Sequence, residues 1–283
     1  MRRLQKPLTG STTWIEGDGT ISVRKLWNGR ADLEELELTT PAGHLQGLAV
    51  RFYHPEPHQW HLYWANSRDG IVNQPPAVGA FQDGRREFYD QETYNGKIIL
   101  LREIFSDITP DSYHFEQAFS DDRGQTWETN WIADITRVSP EPVAESMTAE
   151  DRSHDFDFNI GHWNVDVKRF TNPLSGDSKW TDWKGTARIA PVWHGRANFA
   201  EFEIDGPSGH LEGLGLRLYN SETKQWTITW ANGRENVFGV PIVGESRTAA
   251  AISSTWKTSA AASGGRQIFV RYNLSMITPG SAY

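Results

Sequence analysis

The chain has 283 residues, of which 37% are hydrophobic, 12% aromatic and 23% charged, with 13 Trp and no Cys. A formal net charge of −8 offers no basic field to gather phosphates, so nucleic acid and anionic lipid surfaces are excluded as expected partners. Zero Cys removes disulfides, thiolate metal sites and Cys nucleophiles together.

No apolar run approaches the ~18 residues of a membrane span, and MRRLQKPLTG at the start has no apolar centre of the kind an export signal requires. A cytoplasmic protein without a membrane partner is therefore expected. Taken in chain order, alternating runs of period two predict strands at ADLEELEL (31–38), HLQGLAVRFY (44–53), QWHLYWAN (59–66), KIILLREIFSDI (97–108), SYHFEQAFS (112–120) and TWETNWIADI (126–135). SDDRGQTW (120–127) reads as the tight turn between the last two, because its acidic residues and Gly suit a hairpin loop. SPEPVAESMTAEDRS (139–153) has no period and reads as a linker.

A second series of elements opens at HDFDFNIGHWNVDVKR (154–169). Sliding the chain by 166 positions aligns residues 8–70 with 174–236 without a gap, and 26 of these 63 pairs are identical. That self-similarity predicts a tandem duplication. The expected domains are 1–138 and 154–283. By alignment the first copy lacks the strand that carries NIGHWNV, and the second lacks the last two strands of the first. At 246–265 the alternation of the second copy collapses into Ala and Ser, so this stretch is expected to fit its sheet poorly. The predicted class is all-β: two tandem antiparallel up-and-down barrels, each left with unpaired edges.

Gly161 and Trp163 of NIGHWNV form a Gly-x-Trp on a first strand, which resembles the calycin superfamily of lipocalins, fatty-acid-binding proteins and nitrobindin-like barrels. ITPDS, FEQAFSDDRGQTWETNW and the WNGRA and WHGRA turns resemble bacterial calycin-like domains of unknown function. The resemblance implies that the Trp closes one barrel end under a late basic residue, here Arg137. A haem-binding relative would need a proximal His near the barrel end. His114 stands there in the first copy but Tyr283 in the second, so no shared haem role and no cofactor is expected.

A function common to both copies must use residues common to both. These are Glu35, Glu37, His44, Arg51, Tyr53, Trp64 and Asn66, with counterparts Glu201, Glu203, His210, Arg217, Tyr219, Trp230 and Asn232. Parity places Glu35 with Glu37, Arg51 with Tyr53, and Trp64 with Asn66. If they line the barrel, Glu and Arg neutralise each other while Tyr, Trp and Asn orient a small hydrophobic ligand. If they face out, the same Glu and Arg are cross-strand ion pairs on a wet surface. The expected function is small-molecule binding. The alternatives are a barrel enzyme of hydratase, cyclase or isomerase type, with the matched Glu, Arg, Tyr and His as acid–base groups, or an interaction module that dimerises through its open edges. No Gly-x-Ser-x-Gly, His-Glu-x-x-His or phosphate loop is present, and the prolines of HPEPH keep His54 and His58 from aligning on a helix, so no metal site is expected.

Overall fold

The computed structural model describes residues 1–142, 155–171, 176, 179–248, 251–258, 268–272 and 280–281. From 143 onward the expected linker lies outside the described residues, as do 259–265 of the irregular stretch. The chain forms two compact units, and both are built from antiparallel strands. Among the described residues no helix is long and apolar enough to cross a membrane.

The first unit is an 11-stranded sheet. Its strands are β1 (Arg2–Leu4), β2 (Trp14–Glu16), β3 (Asp18–Leu26), β4 (Ala31–Thr40), β5 (Gly43–His54), β6 (Gln59–Asn66), β7 (Ala77–Gln82), β8 (Arg85–Tyr94), β9 (Lys97–Ser106), β10 (Ser112–Ser120) and β11 (Glu128–Thr136). From β3 to β11 each strand pairs with the next in sequence, as hairpin connections require, and β11 then pairs with β1 and β1 with β2. The two edge strands, β2 and β3, are joined directly at Gly17, whose N–H donates to the Met1 carbonyl at 3.0 Å. Ring contacts between strands far apart in the sheet, such as Trp64 on β6 with Trp131 on β11 at 6.4 Å, identify the concave side. The sheet is a nearly closed barrel.

The first strand that alignment found missing has a short substitute. Arg2 and Arg3 pair with Ile132 and Trp131 on the free side of β11. Three residues are too few for alternation to mark, yet the unpaired N–H and C=O groups of β11 give them a template. The following loop seats Leu8 against Ile99, Leu101 and Phe119, and its N–H donates to Glu128 at 2.5 Å. SDDRGQTW is the β10–β11 turn: Asp122 accepts from Ser120, from the Thr126 N–H and from the Thr126 hydroxyl, and these bonds hold its carboxyl down at about 2.

The second unit orders β12 (Gly161–Phe170), β13 (Trp180–Val192), β14 (Ala197–Gly206), β15 (Gly209–Asn220), β16 (Gln225–Asn232), β17 (Ile242–Thr248), β18 (Ala251–Thr258) and β19 (Ile268–Tyr272) in strict sequence. Its pairing repeats that of the first unit at the same offset of 166: Ala31 faces Phe52 as Ala197 faces Leu218. The WNGRA and WHGRA segments form the same tight turn. Trp27, Asn28 and Gly29, like Trp193, His194 and Gly195, all take positive φ, and the buried Trp ring anchors each turn. Part of the irregular stretch does form strand, with a register shift between Ser246 and Thr248.

Candidate functional site

Register decides which residues share a face, because directly opposed residues in a ladder point the same way. In the first unit Arg51 opposes Asp32 on one side and Leu62 on the other. The inner face therefore carries Asp32, Glu34, Leu36 and Leu38 from β4; Gly47, Ala49, Arg51 and Tyr53 from β5; and Trp60, Leu62, Trp64 and Asn66 from β6. From the opposite wall come Arg86, Phe88, Asp90 and Glu92 on β8, Leu101, Glu103 and Phe105 on β9, Tyr113, Phe115 and Gln117 on β10, and Trp131 on β11.

An unbroken series of aromatic contacts runs round this face. Phe88 meets Phe105 at 5.9 Å, Phe105 meets Phe115 at 5.1 Å, Phe115 meets Trp131 at 5.8 Å and Trp131 meets Trp64 at 6.4 Å. Leu62, Ala77 and Phe88 pack with Trp60, Trp64 and Phe105 as one apolar cluster. Asp32, Glu34, Trp64, Glu103, Phe105, Tyr113, Phe115 and Trp131 keep some accessible surface although they point into the barrel. Accessible surface on inward side chains marks a lumen with room for water-sized groups, in contrast to a close-packed core.

The lumen holds an ionic group at one level. Arg51 donates to Asp32 at 2.8 Å and to Glu34, and its guanidinium lies 5.9 Å from the Phe105 ring. Burial opposes the charge on Arg51, but the two carboxylates more than offset this and raise its pKa. Burial likewise raises Asp32, against the pull of Arg51. Arg86 is lowered, first by burial and then by Arg51. Burial, reinforced by Glu34, raises Tyr113. Farther along the barrel, burial pushes the Glu103 carboxyl up to about 8, with Glu34, Glu92 and Asp90 adding to the effect against Arg51. Its Oε2 is buried with no hydrogen-bond partner among the described residues.

Of the residues expected from sequence, Arg51, Tyr53, Trp64 and Asn66 lie on the inner face, while Glu35, Glu37 and His44 lie on the outer. Glu35 is buried with Arg24 at 2.5 Å, Glu37 accepts from Gln46 at 2.9 Å, and His44 sits 4.0 Å from Glu37. Glu35, His44 and Arg51 therefore do not converge, and the carboxylates that neutralise Arg51 are Asp32 and Glu34, three and one positions before Glu35. Tyr53 packs on Trp60 at 5.2 Å, with its hydroxyl 3.0 Å from His58.

In the second unit Arg217, Tyr219, Trp230 and Asn232 share the equivalent face, with Glu201, Glu203 and His210 opposite. Arg217 donates to the neutral Asn198 at 2.7 Å, since Asn198 and Ala200 replace Asp32 and Glu34. Phe156 covers it, 5.0 Å from the guanidinium and 4.8 Å from Trp226. Tyr219 joins the same cluster. Asn232 closes a turn, accepting from the Arg234 and Glu235 N–H groups. Arg188 binds Glu201 at 3.1 Å, and the hydrogen bond that His210 Nδ1 makes to the Asp205 carboxylate at 2.9 Å raises the pKa of His210.

Two expectations drawn from the family resemblance need correction. Arg137 donates to the Pro110 carbonyl at 3.0 and 2.9 Å and pairs with Asp111, in place of covering a Trp. His114 is on the outer face, bound to Asp134 at 2.7 Å beside an open surface cleft of about 680 Å³, so it does not point into the lumen. Trp163 does face inward, and its indole N–H donates to the Asn159 carbonyl at 2.6 Å.

The lumen residues that the identity filter missed, Asp32, Glu34, Glu103 and Tyr113, differ between the copies; Glu103 aligns with Tyr272. Parity with Leu101 and Phe105 was the available signal for Glu103.

The lumen also depends on Gly47. A Cβ there would lie 2.1 Å from the Trp64 ring, as one at Gly213 would lie 2.0 Å from Trp230. Gly47→Ala must displace the Trp64 indole and is expected to cost about 1–3 kcal/mol. Urea unfolding measures the cost, and a changed near-ultraviolet circular dichroism signal reports the lost Trp64–Trp131 geometry. No family model matches the chain, and no curated protein matches it.

Proposed function

We propose that the protein binds one small, largely apolar molecule in the lumen of the first unit, and that its two units are calycin-like barrels, 1–138 and 154–283, derived from a tandem duplication. The repeat of pairing register at an offset of 166 supports the duplication. The observation that carries the binding reading is the aromatic wall from Phe88 to Trp64 around partly accessible, inward-facing polar groups. Apolar walls with a few convergent polar groups are the usual make-up of a small-molecule site. The second unit has lost both carboxylates and places its own Phe156 over Arg217, so a single site per chain is expected.

Native mass spectrometry of the purified protein and titration with an environment-sensitive apolar fluorophore test this reading. Saturable binding at one site, abolished by Ala49→Trp, is the expected result, because Ala49 opposes Trp64 on the inner face. Binding that survives this substitution but is lost on altering the second unit's inner face would overturn the assignment to the first.

A further inference from the structure

The charges inside the barrel separate into two zones. Around Arg51 the account balances: Asp32 and Glu34 face Arg51 and Arg86, with Arg51 bonded to both carboxylates. Along β8 and β9 it does not. Asp90, Glu92 and Glu103 project from these strands into the same space, and of these Glu92 accepts only a long 3.4 Å bond from Asn73. Among the described residues the inner face thus carries the carboxyl groups of Asp32, Glu34, Asp90, Glu92 and Glu103; its cations are Arg51 and Arg86, Lys25 opposite Asp32, and Arg3 over the Trp131 ring, none of them on β9.

Glu103 stands at the centre of the acidic zone. In register it lies between Phe88 on β8 and Gln117 on β10. Gln117 spends its amide N–H on Asn130 at 2.9 Å. The Glu103 Oε2 is buried with no hydrogen-bond donor to it among the described residues, and the charge that acts on Glu103 most, Arg51, is bonded to Asp32 and Glu34. Phe88 opposes it in register and Phe105 stands two positions along β9, and aromatic rings attract cations through the ring quadrupole.

We propose that the ligand of the first barrel is an organic cation, a substituted ammonium on an apolar body, with its charge held against Glu103 and the adjoining Phe88 and Phe105 rings. This deepens the binding reading given above and rests on it. An anion would meet the three carboxyl groups Asp90, Glu92 and Glu103 with Arg86 alone near them, since Arg51 is already bonded to Asp32 and Glu34. Binding moves one proton: Glu103, held largely protonated near neutrality, releases it to the buffer as the ammonium arrives, so the lumen gains no net charge. The groups that face Glu103 are Arg86, Asp90 and Glu92 from β8, Tyr113 and Gln117 from β10, and Asp32, Glu34 and Arg51 across the barrel.

The test compares benzyltrimethylammonium with its uncharged carbon isostere, neopentylbenzene, by calorimetry and Trp fluorescence between pH 6 and 9, on wild type and Glu103→Gln. The quaternary ammonium does not titrate, so any pH dependence belongs to the protein. Its affinity is expected to rise about tenfold per pH unit up to about 8 and then level off. Close to one proton is released per ligand at pH 7, measured in buffers of different ionisation enthalpy. Glu103→Gln is expected to abolish the proton release and to weaken ammonium binding at pH 9 by at least about tenfold relative to its effect on the isostere. If the isostere binds and the ammonium does not, or if the ammonium binds with no proton release, the cation assignment falls while the binding function stands. If neither binds, the binding function itself falls.

Discussion

Arg51→Met is expected to destabilise the first unit by about 3–5 kcal/mol, because removal of one partner leaves buried charge uncompensated. Asp32 and Glu34 both bond to this guanidinium, and their side chains are only 16% and 12% exposed. Burial already raises the Asp32 carboxyl, with Arg51 the main opposing influence. Without Arg51 the two carboxylates repel each other: Lys25, opposite Asp32 in register, is exposed, and Arg86 makes no ion pair among the described residues.

The second unit supplies an internal control. Arg217→Met removes a bond to a neutral amide, for which about 1–2 kcal/mol is expected. Hydrogen exchange, read separately on the β4–β5 and β14–β15 amides, assigns each loss to its own unit. Adding Asp32→Asn and Glu34→Gln to Arg51→Met is expected to recover most of the stability, since no charge is then left unpaired. Equal losses for the two single Arg variants would contradict the ionic account.

The second large effect belongs to Glu103 and appears in the pH dependence of stability. Its folded-state pKa, about 8, lies above the ordinary glutamate value of 4.5. A carboxyl raised in this way contributes most below the unfolded value, and that contribution is lost as pH rises from there through the folded value. At ~1.4 kcal/mol per unit, the shift sets a ceiling of about 5 kcal/mol on the loss between pH 4.5 and 9. Contact of the side chain with the lumen reduces this to a few kcal/mol.

Glu103→Gln keeps the shape and removes the ionisation, so it is expected to be more stable than wild type at pH 9 by that amount and nearly equal to it at pH 4.5. His114 and His210, raised by their Asp partners, also lose stability as pH rises through their folded-state values. They do so equally in both proteins, and the difference between the two urea-unfolding curves isolates Glu103. Parallel curves for wild type and variant would show that Glu103 ionises freely in the lumen.

Strand positions were legible because an inward-outward alternation must be written into every strand that has two different environments. ADLEELEL became β4, HLQGLAVRFY became β5 and QWHLYWAN became β6, within a residue or two. Parity also sorted Glu35 with Glu37 and Arg51 with Tyr53 correctly. It could not say which set shares a side with which, because that depends on how far one strand slides against the next. A slide of one residue exchanges every partner. The carboxylates facing Arg51 thus proved to be Asp32 and Glu34, and Glu35 turned outward to Arg24.

The filter of identity between copies had a different weakness. It retains what the two units share, which is mostly what holds each one together: the Trp27 and Trp193 turns, or Gly47 and Gly213 beneath their Trp rings. The groups that set the charge of the first lumen are those that differ. In the alignment of the copies Asp32 corresponds to Asn198, Glu34 to Ala200 and Glu103 to Tyr272.

The amino-acid sequence by itself determined the all-β class, the order of the hairpins and the internal repeat, since local alternation, turn residues and self-similarity need no knowledge of distant neighbours. Only the tertiary structure decided that Arg2–Leu4 covers the free side of β11, that Arg51 and Glu103 look into one lumen from opposite walls, and that His114 looks away from it. Those facts rest on the curl and register of the whole sheet, in which residues far apart in the chain are brought together by pairings that no single segment encodes.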